Sequence, residues 1–160
     1  MSAEKTLKSR VLDDKDKKIL MILQQNGREQ LKQIAEKVDL SIDSVHKRIK
    51  EMQSKGVFGS TIWIDPRVIG FPLIADIKIR LKNAGQKERE DFIKYLQKHP
   101  RCTDLYGIMG EYDFTCVLVA TDSEDLDKLS TEIRYKFRDI IDEWKSILVL
   151  KTYKFDTHTL

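Results

Sequence analysis

The chain has only two cysteines in 160 residues, Cys102 and Cys116, too few for a disulfide scaffold. Their spacing is not that of a zinc site, and His99 is the only histidine near them. Both are therefore expected as reduced strand residues, and no metal is expected. The opening MSAEKTLKSR has no apolar segment of the signal-peptide kind. The longest strongly apolar runs, Cys116–Ala120 and Ile147–Leu150, fall far short of the ~20 residues that a membrane span needs. The expectation is a cytoplasmic protein with no membrane partner. His46, His99 and His158 sit in unrelated parts of the chain and suggest no Ser-His-Asp or Cys-His site. No glycine-rich loop is placed to cradle a phosphate, so neither enzymatic chemistry nor a cofactor is expected. A large net charge is lacking as well. Twenty-nine basic and 26 acidic residues leave +3, which excludes a uniformly basic coat but not one basic face.

What is present is enough apolar material for a core: 41% of residues, beside 34% charged. The charge is uneven. Residues 1–60 hold thirteen Lys and Arg against nine Asp and Glu, and the remainder hold sixteen against seventeen. The surplus lies in the first third, which hints at a polyanion-facing N-terminal part.

That first third reads as three short helices. Asp13 or Asp14 caps a helix running to about Gln25, with Ile19, Leu20, Ile22 and Leu23 on one broad face. Asn26-Gly27 is expected to stop it, since both residues tolerate the left-handed conformation. Leu31, Ile34, Ala35 and Val38 mark a second helix over about Gln30–Val38. Asp39-Leu40 turns the chain, and Ser41 caps a third helix with Ile42, Val45, Ile49 and Met52 on its apolar stripe and Gly56 after its end. Two short helices joined by such a turn are the helix-turn-helix signature, whose second helix enters the major groove of DNA. On that helix Lys47 and Lys50 are placed to reach phosphates or guanine edges. Ser41 and Ser44 can bond bases or phosphates, and His46 either. Asp43 fits a cytosine amino group or the helix N-terminus. Arg48 either contacts phosphate or braces the helix through an ion pair. Val57-Phe58 and Ser60–Ile64, flanking Gly59, suggest a hairpin or wing, and residues 65–72 a linker.

The rest reads as β-α-β-β-α-β, a ferredoxin-like arrangement. Leu73–Lys82 alternates, with Ala75, Ile77, Ile79 and Leu81 facing one way and Asp76, Lys78, Arg80 and Lys82 the other. A helix over Gln86–Lys98 follows, then strands over Cys102–Met109 and Asp113–Ala120 joined through Gly110-Glu111-Tyr112. A helix capped by Asp122 or Ser123 carries Leu126, Leu129, Ile133 and Phe137, and a last strand spans Trp144–Phe155. Both helices on one face leave the other to be covered, and Trp144, Tyr153 and Phe155 point to self-association as the cover. The expected fold class is α+β, cut as a winged helix-turn-helix over residues 1–64, a hinge over 65–72 and a ferredoxin-like ligand-binding and oligomerisation domain over 73–160.

Taken together and in order, these residues resemble the Lrp/AsnC family of prokaryotic transcription regulators. The motifs are Leu12–Leu20, Asn26-Gly27-Arg28, Ile34–Ser41, Val45–Ile49, Lys55–Gly59, Asp65–Gly70 and Met109-Gly110-Glu111-Tyr112-Asp113-Phe114. Phe58, where the family usually has an aliphatic residue, and Asp43 on the DNA-reading helix are departures. The resemblance implies a dimer, often assembled to a tetramer or octamer, that binds pseudo-palindromic double-stranded DNA. It also implies an amino acid or similar effector near the glycine/aspartate signature, between dimers. There Met109, Gly110, Tyr112 and Asp113 are the expected effector residues, joined by Asp122 and Ser123 from another copy. Gly110 would free backbone N–H groups for a carboxylate, Asp113 would accept from an ammonium and Tyr112 would form a wall. The alternatives are a siroheme-decarboxylase-like enzyme on the same architecture and a stand-alone ligand sensor with a vestigial helix-turn-helix.

Overall fold

The computed structural model describes residues 12–154, 158 and 159. These form two compact units: the described residues up to Ile62 with Lys154, His158 and Thr159, and Trp63–Tyr153.

In the first unit, the Asp13 carboxylate accepts the Asp16 N–H at 2.8 Å, and the Asp16 carboxylate accepts the Asp13 N–H. This closes a capping box on α1 (Asp14–Gln25). Helices α2 (Leu31–Val38) and α3 (Ile42–Ser54) follow. Ile19, Ile34, Ala35, Val38, Val45 and Met52, one stripe from each helix, make the buried core. Between α2 and α3, Asp39 takes the left-handed conformation at φ 53, which an aspartate tolerates better than a branched residue. Ser41 caps α3 by accepting the Ser44 N–H, and Gly56 follows it at φ 70.

Two local expectations are corrected. Asn26 is extended at φ −143, and Gly27 is not among the left-handed residues. The stop is instead an Asx-type turn in which Asn26 Oδ1 accepts the Arg28 N–H at 3.1 Å. The hairpin expected about Gly59 is not formed within the chain: residues 57–65 carry no strand. Ile62, Trp63 and Ile64 are 73%, 65% and 53% exposed, and a two-stranded ribbon without a packed face has little stability of its own.

The second unit is one four-stranded antiparallel sheet in the order β2-β3-β1-β4. Its elements are β1 (Leu73–Leu81), α4 (Gln86–Lys98), β2 (Cys102–Gly107), β3 (Phe114–Ala120), α5 (Ser123–Lys136) and β4 (Ile141–Leu148). The alternation of β1 is realised as expected. Ala75, Ile77 and Ile79 are fully buried against Phe92 and Leu96 of α4 and Leu126, Leu129 and Ile133 of α5, while Asp76, Lys78 and Arg80 take the other face. Phe92 sits between Phe114 and Phe137, with ring centroids 5.8 and 5.0 Å away. Both cysteines are free, Cys102 opening β2 and Cys116 buried in β3.

The last strand runs earlier than its composition suggested. Ile141 pairs with Leu81 and Leu148 with Ala75, so β4 ends as β1 runs out, whatever the β-propensity of the following residues. Trp144 pairs with Ile79 and packs on the helix-covered side, so it does not line the open face as expected. The open face carries Ile147 and Lys145 instead, because side chains alternate strictly along the strand. Tyr153 is exposed, and Phe155 lies outside the described residues.

Truncating the central aromatic tests this core. Phe92→Ala is expected to lower the unfolding free energy by about 3–5 kcal/mol in urea titrations; a loss under about 1 kcal/mol would contradict the packing described.

Candidate nucleic-acid interface and effector site

Helix α3 buries Val45 and Met52, packs Ile49 against the same core and turns its opposite side outward. Asp43, His46, Lys47 and Lys50 are exposed. Spacings of three and four residues put them on one side, the width of helix that a major groove admits. The other three expected contacts have structural duties. Ser41 and Ser44 hydroxyls lie 2.8 Å apart within the helix cap. Arg48 Nη1 donates to Asp13 Oδ2 at 2.6 Å and to Asp16 Oδ1 at 2.8 Å, which is the bracing role.

Asp16 was not singled out from the sequence, yet it is fully buried. An acid three residues before Ile19, on the apolar stripe of α1, was the available signal. A charge placed there requires a buried partner. Lys15 is tied as well, its ammonium donating to the Val38 carbonyl at the end of α2.

The effector candidates divide by position. Gly110 lies in the loop between β2 and β3 at φ 147, a conformation that favours glycine, with open space where a Cβ would stand. Met109 beside it is fully exposed. Tyr112 donates its hydroxyl to Glu143 Oε1 at 2.9 Å, which raises the phenol above its usual range. Asp113 is engaged within the chain: Oδ2 accepts the Leu81 N–H at 2.8 Å and Oδ1 accepts Arg89 Nη1 at 3.1 Å. The Leu81 N–H first, and Arg89 with it, hold this carboxyl below its usual range. Asp113 therefore joins the loop to the end of β1 and the first turns of α4 rather than offering a free acceptor for an ammonium. Arg89, absent from the sequence expectations, also stacks on the Phe114 ring at 4.6 Å. Its place three residues before inward-facing Phe92 was the legible hint. Asp122 caps α5 by accepting the Asp125 N–H, and Ser123 opens that helix. Both lie beyond the far end of the seven-residue β3, about 20 Å from Asp113 at ~3.3 Å per residue, so one chain does not bring the six candidates together.

No group of His, Cys, Asp and Glu among the described residues has the arrangement of a metal site. No described helix is long and apolar enough to cross a membrane.

A family model described as winged helix-turn-helix DNA-binding matches residues 12–58, and one described as Lrp/AsnC ligand binding domain matches residues 74–159. The HTH-type transcriptional regulator FL11 of Pyrococcus horikoshii is 30% identical, covering 91% of this chain and 94% of its own. The HTH-type transcriptional regulator Ptr1 of Methanocaldococcus jannaschii is 32% identical, covering 90% and 95%. Among solved structures, a transcriptional regulator of Neisseria meningitidis in complex with L-Met superposes with a TM-score of 0.82 at 27% identity, covering 90% of this chain and 93% of that one.

Arg48→Ala is expected to cost about 3–5 kcal/mol in chemical denaturation, because it takes the guanidinium away from the buried Asp16 carboxylate. Adding Asp16→Asn should restore part of that loss, whereas a residue that only touches DNA would leave stability unchanged. The second test is pH. A carboxyl held below its usual range stabilises the fold above its unfolded value, about pH 3.9, and the contribution fades as pH falls through the folded value. The stability difference between the parent chain and Asp113→Asn should therefore be constant near neutrality and shrink as the pH is lowered below about 4. A difference that grows on acidification would contradict the Leu81 and Arg89 contacts.

Proposed function

Because this chain belongs to the Lrp/AsnC family of transcription regulators, we propose that it reads pseudo-palindromic operators as a dimer through α3 and answers to an amino acid or similar effector held by its C-terminal part. It is a DNA-binding transcription regulator and not an enzyme. The relatives named above are regulators too, and the siroheme-decarboxylase alternative has no support among them.

The observation that carries the DNA reading is the divided circumference of α3. Val45 and Met52 anchor it, Arg48 is held by Asp13 and Asp16, and Asp43, His46, Lys47 and Lys50 are left outward. Lys47 and Lys50 supply affinity through phosphates. Asp43 and His46 stand where base edges are read, and an acid favours a cytosine amino group. Ser41 and Ser44 contribute mainly through the helix start, whose N–H groups favour a phosphate. Two copies would present their α3 helices one DNA turn apart, about 34–36 Å.

Residues 1–64 serve in this reading as the DNA-binding part, 65–72 as the hinge and 73–160 as the sensing and assembly part. Dimerisation is supported by exposed Ile62, Trp63 and Ile64 and by the edge strand β4, whose Ile147 and Leu148 are also exposed. Tetramers or octamers would bring Asp122 and Ser123 of one copy toward the loop of Met109, Gly110, Tyr112 and Asp113 of another. The L-Met complex of the Neisseria protein supports an amino acid as the effector class. An effector regulates by binding one assembly more tightly than another.

Lys47→Ala tests the DNA reading. Its binding to an operator fragment from its own promoter region should weaken across a salt series, with the slope of log K against log salt reduced by about 1. An unchanged affinity and slope would refute the assignment of α3 to the groove.

A further inference from the structure

Cys102 opens the edge strand β2, and Cys116 lies in its neighbour β3. In the register Cys102 stands opposite Leu118 and Cys116 opposite Leu105, so the two cysteines are diagonal neighbours. Cys102 and Leu105 are three positions apart and would point to opposite faces of a regular strand. The register shifts between Cys102 and Asp104, where one step along β3 takes two along β2. This bulge returns Cys102 to the face that Leu105 and Cys116 share, against the helices. We propose that Cys102 and Cys116 form a redox-active dithiol, which reduces a peroxide and closes to a disulfide between β2 and β3 of one chain.

The surroundings divide the work between the two sulfurs. Cys102 is half-buried on an edge strand and is open to a small oxidant, whereas Cys116 is fully buried. Cys102 Sγ lies 3.4 Å from the Asp104 carbonyl, to which its thiol donates, so the sulfur leans along β2 in the direction of Cys116. The two side chains are hydrogen-bonded to each other. That bond first holds the Cys102 thiol below its ordinary value, against the effect of burial, and it raises Cys116, with burial pushing the same way. Cys102 is therefore the attacking thiolate and Cys116 the thiol that resolves it. The Cys102 thiolate attacks one peroxide oxygen, the O–O bond breaks, and the departing hydroxide takes a proton to leave as water. The Cys116 sulfur then attacks the Cys102 sulfenic acid. The S–O bond breaks, and the Cys116 proton leaves with the hydroxide as a second water. Two thiols are oxidised by two electrons and one peroxide is reduced. The bridge would staple the open end of the hairpin whose loop carries Met109 and Gly110. Disulfides in a reducing compartment are commonly transient and redox-sensing, and a reduced resting pair suits that use.

The experiment treats the reduced full chain with equimolar hydrogen peroxide, then unfolds it in a maleimide and counts the adducts on the intact chain by mass spectrometry. Methionine oxidation does not alter this count. The untreated chain should carry an adduct on each of its two cysteines, and the oxidised chain none. Dithiothreitol should restore both adducts. In the Cys116→Ala chain, Cys102 should stop at the sulfenic acid and be trapped by dimedone. In the Cys102→Ala chain, Cys116 should lose its thiol at least about tenfold more slowly than in the parent. Circular dichroism checks that each variant is folded. If Cys116→Ala fails to fold, the parent and Cys102→Ala measurements decide by themselves. The proposal is overturned if both thiols survive the peroxide, or if their loss is not reversed by dithiothreitol. It is overturned equally if the bridge joins two chains, or if Cys116 is oxidised as fast without Cys102 as with it.

Discussion

A carboxylate with no solvent exposure has to be paired, and in the DNA-binding unit that requirement falls on Asp16. Its partner is Arg48, 32 residues on, which also takes Asp13. The pair fixes the rotation of α3 against α1. It also decides which face of α3 is turned outward, since a cation committed to two carboxylates is removed from the outward set. The two acids do double service, because the same side chains close the capping box that starts α1. Start of helix, docking of helix and direction of the outward face thus depend on one cluster.

The sheet unit follows from a comparable constraint on β1. Every second residue of that strand must be buried beneath two helices, so its register with β3 and β4 cannot slip by one without putting Asp76, Lys78 and Arg80 into the core. Asp113 locks one end of that register by accepting the Leu81 N–H, and Arg89 from α4 closes on the same carboxylate. The glycine/aspartate signature is therefore partly a structural clasp. Its remaining open features are the backbone around Gly110 and the exposed side chain of Met109. At the same end of the sheet, Tyr112 bonds Glu143 of β4.

Most of the architecture was legible in the order of residues, because helix and strand periods are local properties. The stripes of α2 and α3, the Ser41 cap, the limits of α4 and the alternation of β1 follow from spacing that a chain carries wherever it folds. The exposed quartet on α3 was legible for the same reason: fixing the buried stripe fixes its opposite. The misjudged elements are those whose limits depend on a partner. The span of β4 is set by where β1 ends. The segment about Gly59 has strand-forming residues but no strand to pair with inside one chain.

The sequence by itself determined the element order, the two kinds of unit and the family, since these rest on hydrophobic period, capping chemistry and motifs in register. Only the tertiary structure decided what the charged residues do. Arg48 is a brace because Asp16 lies buried beside it, and Asp113 is a clasp because the end of β1 comes to it. Charges act over a few ångströms between residues far apart in the chain, so their roles are fixed by proximity that folding alone creates.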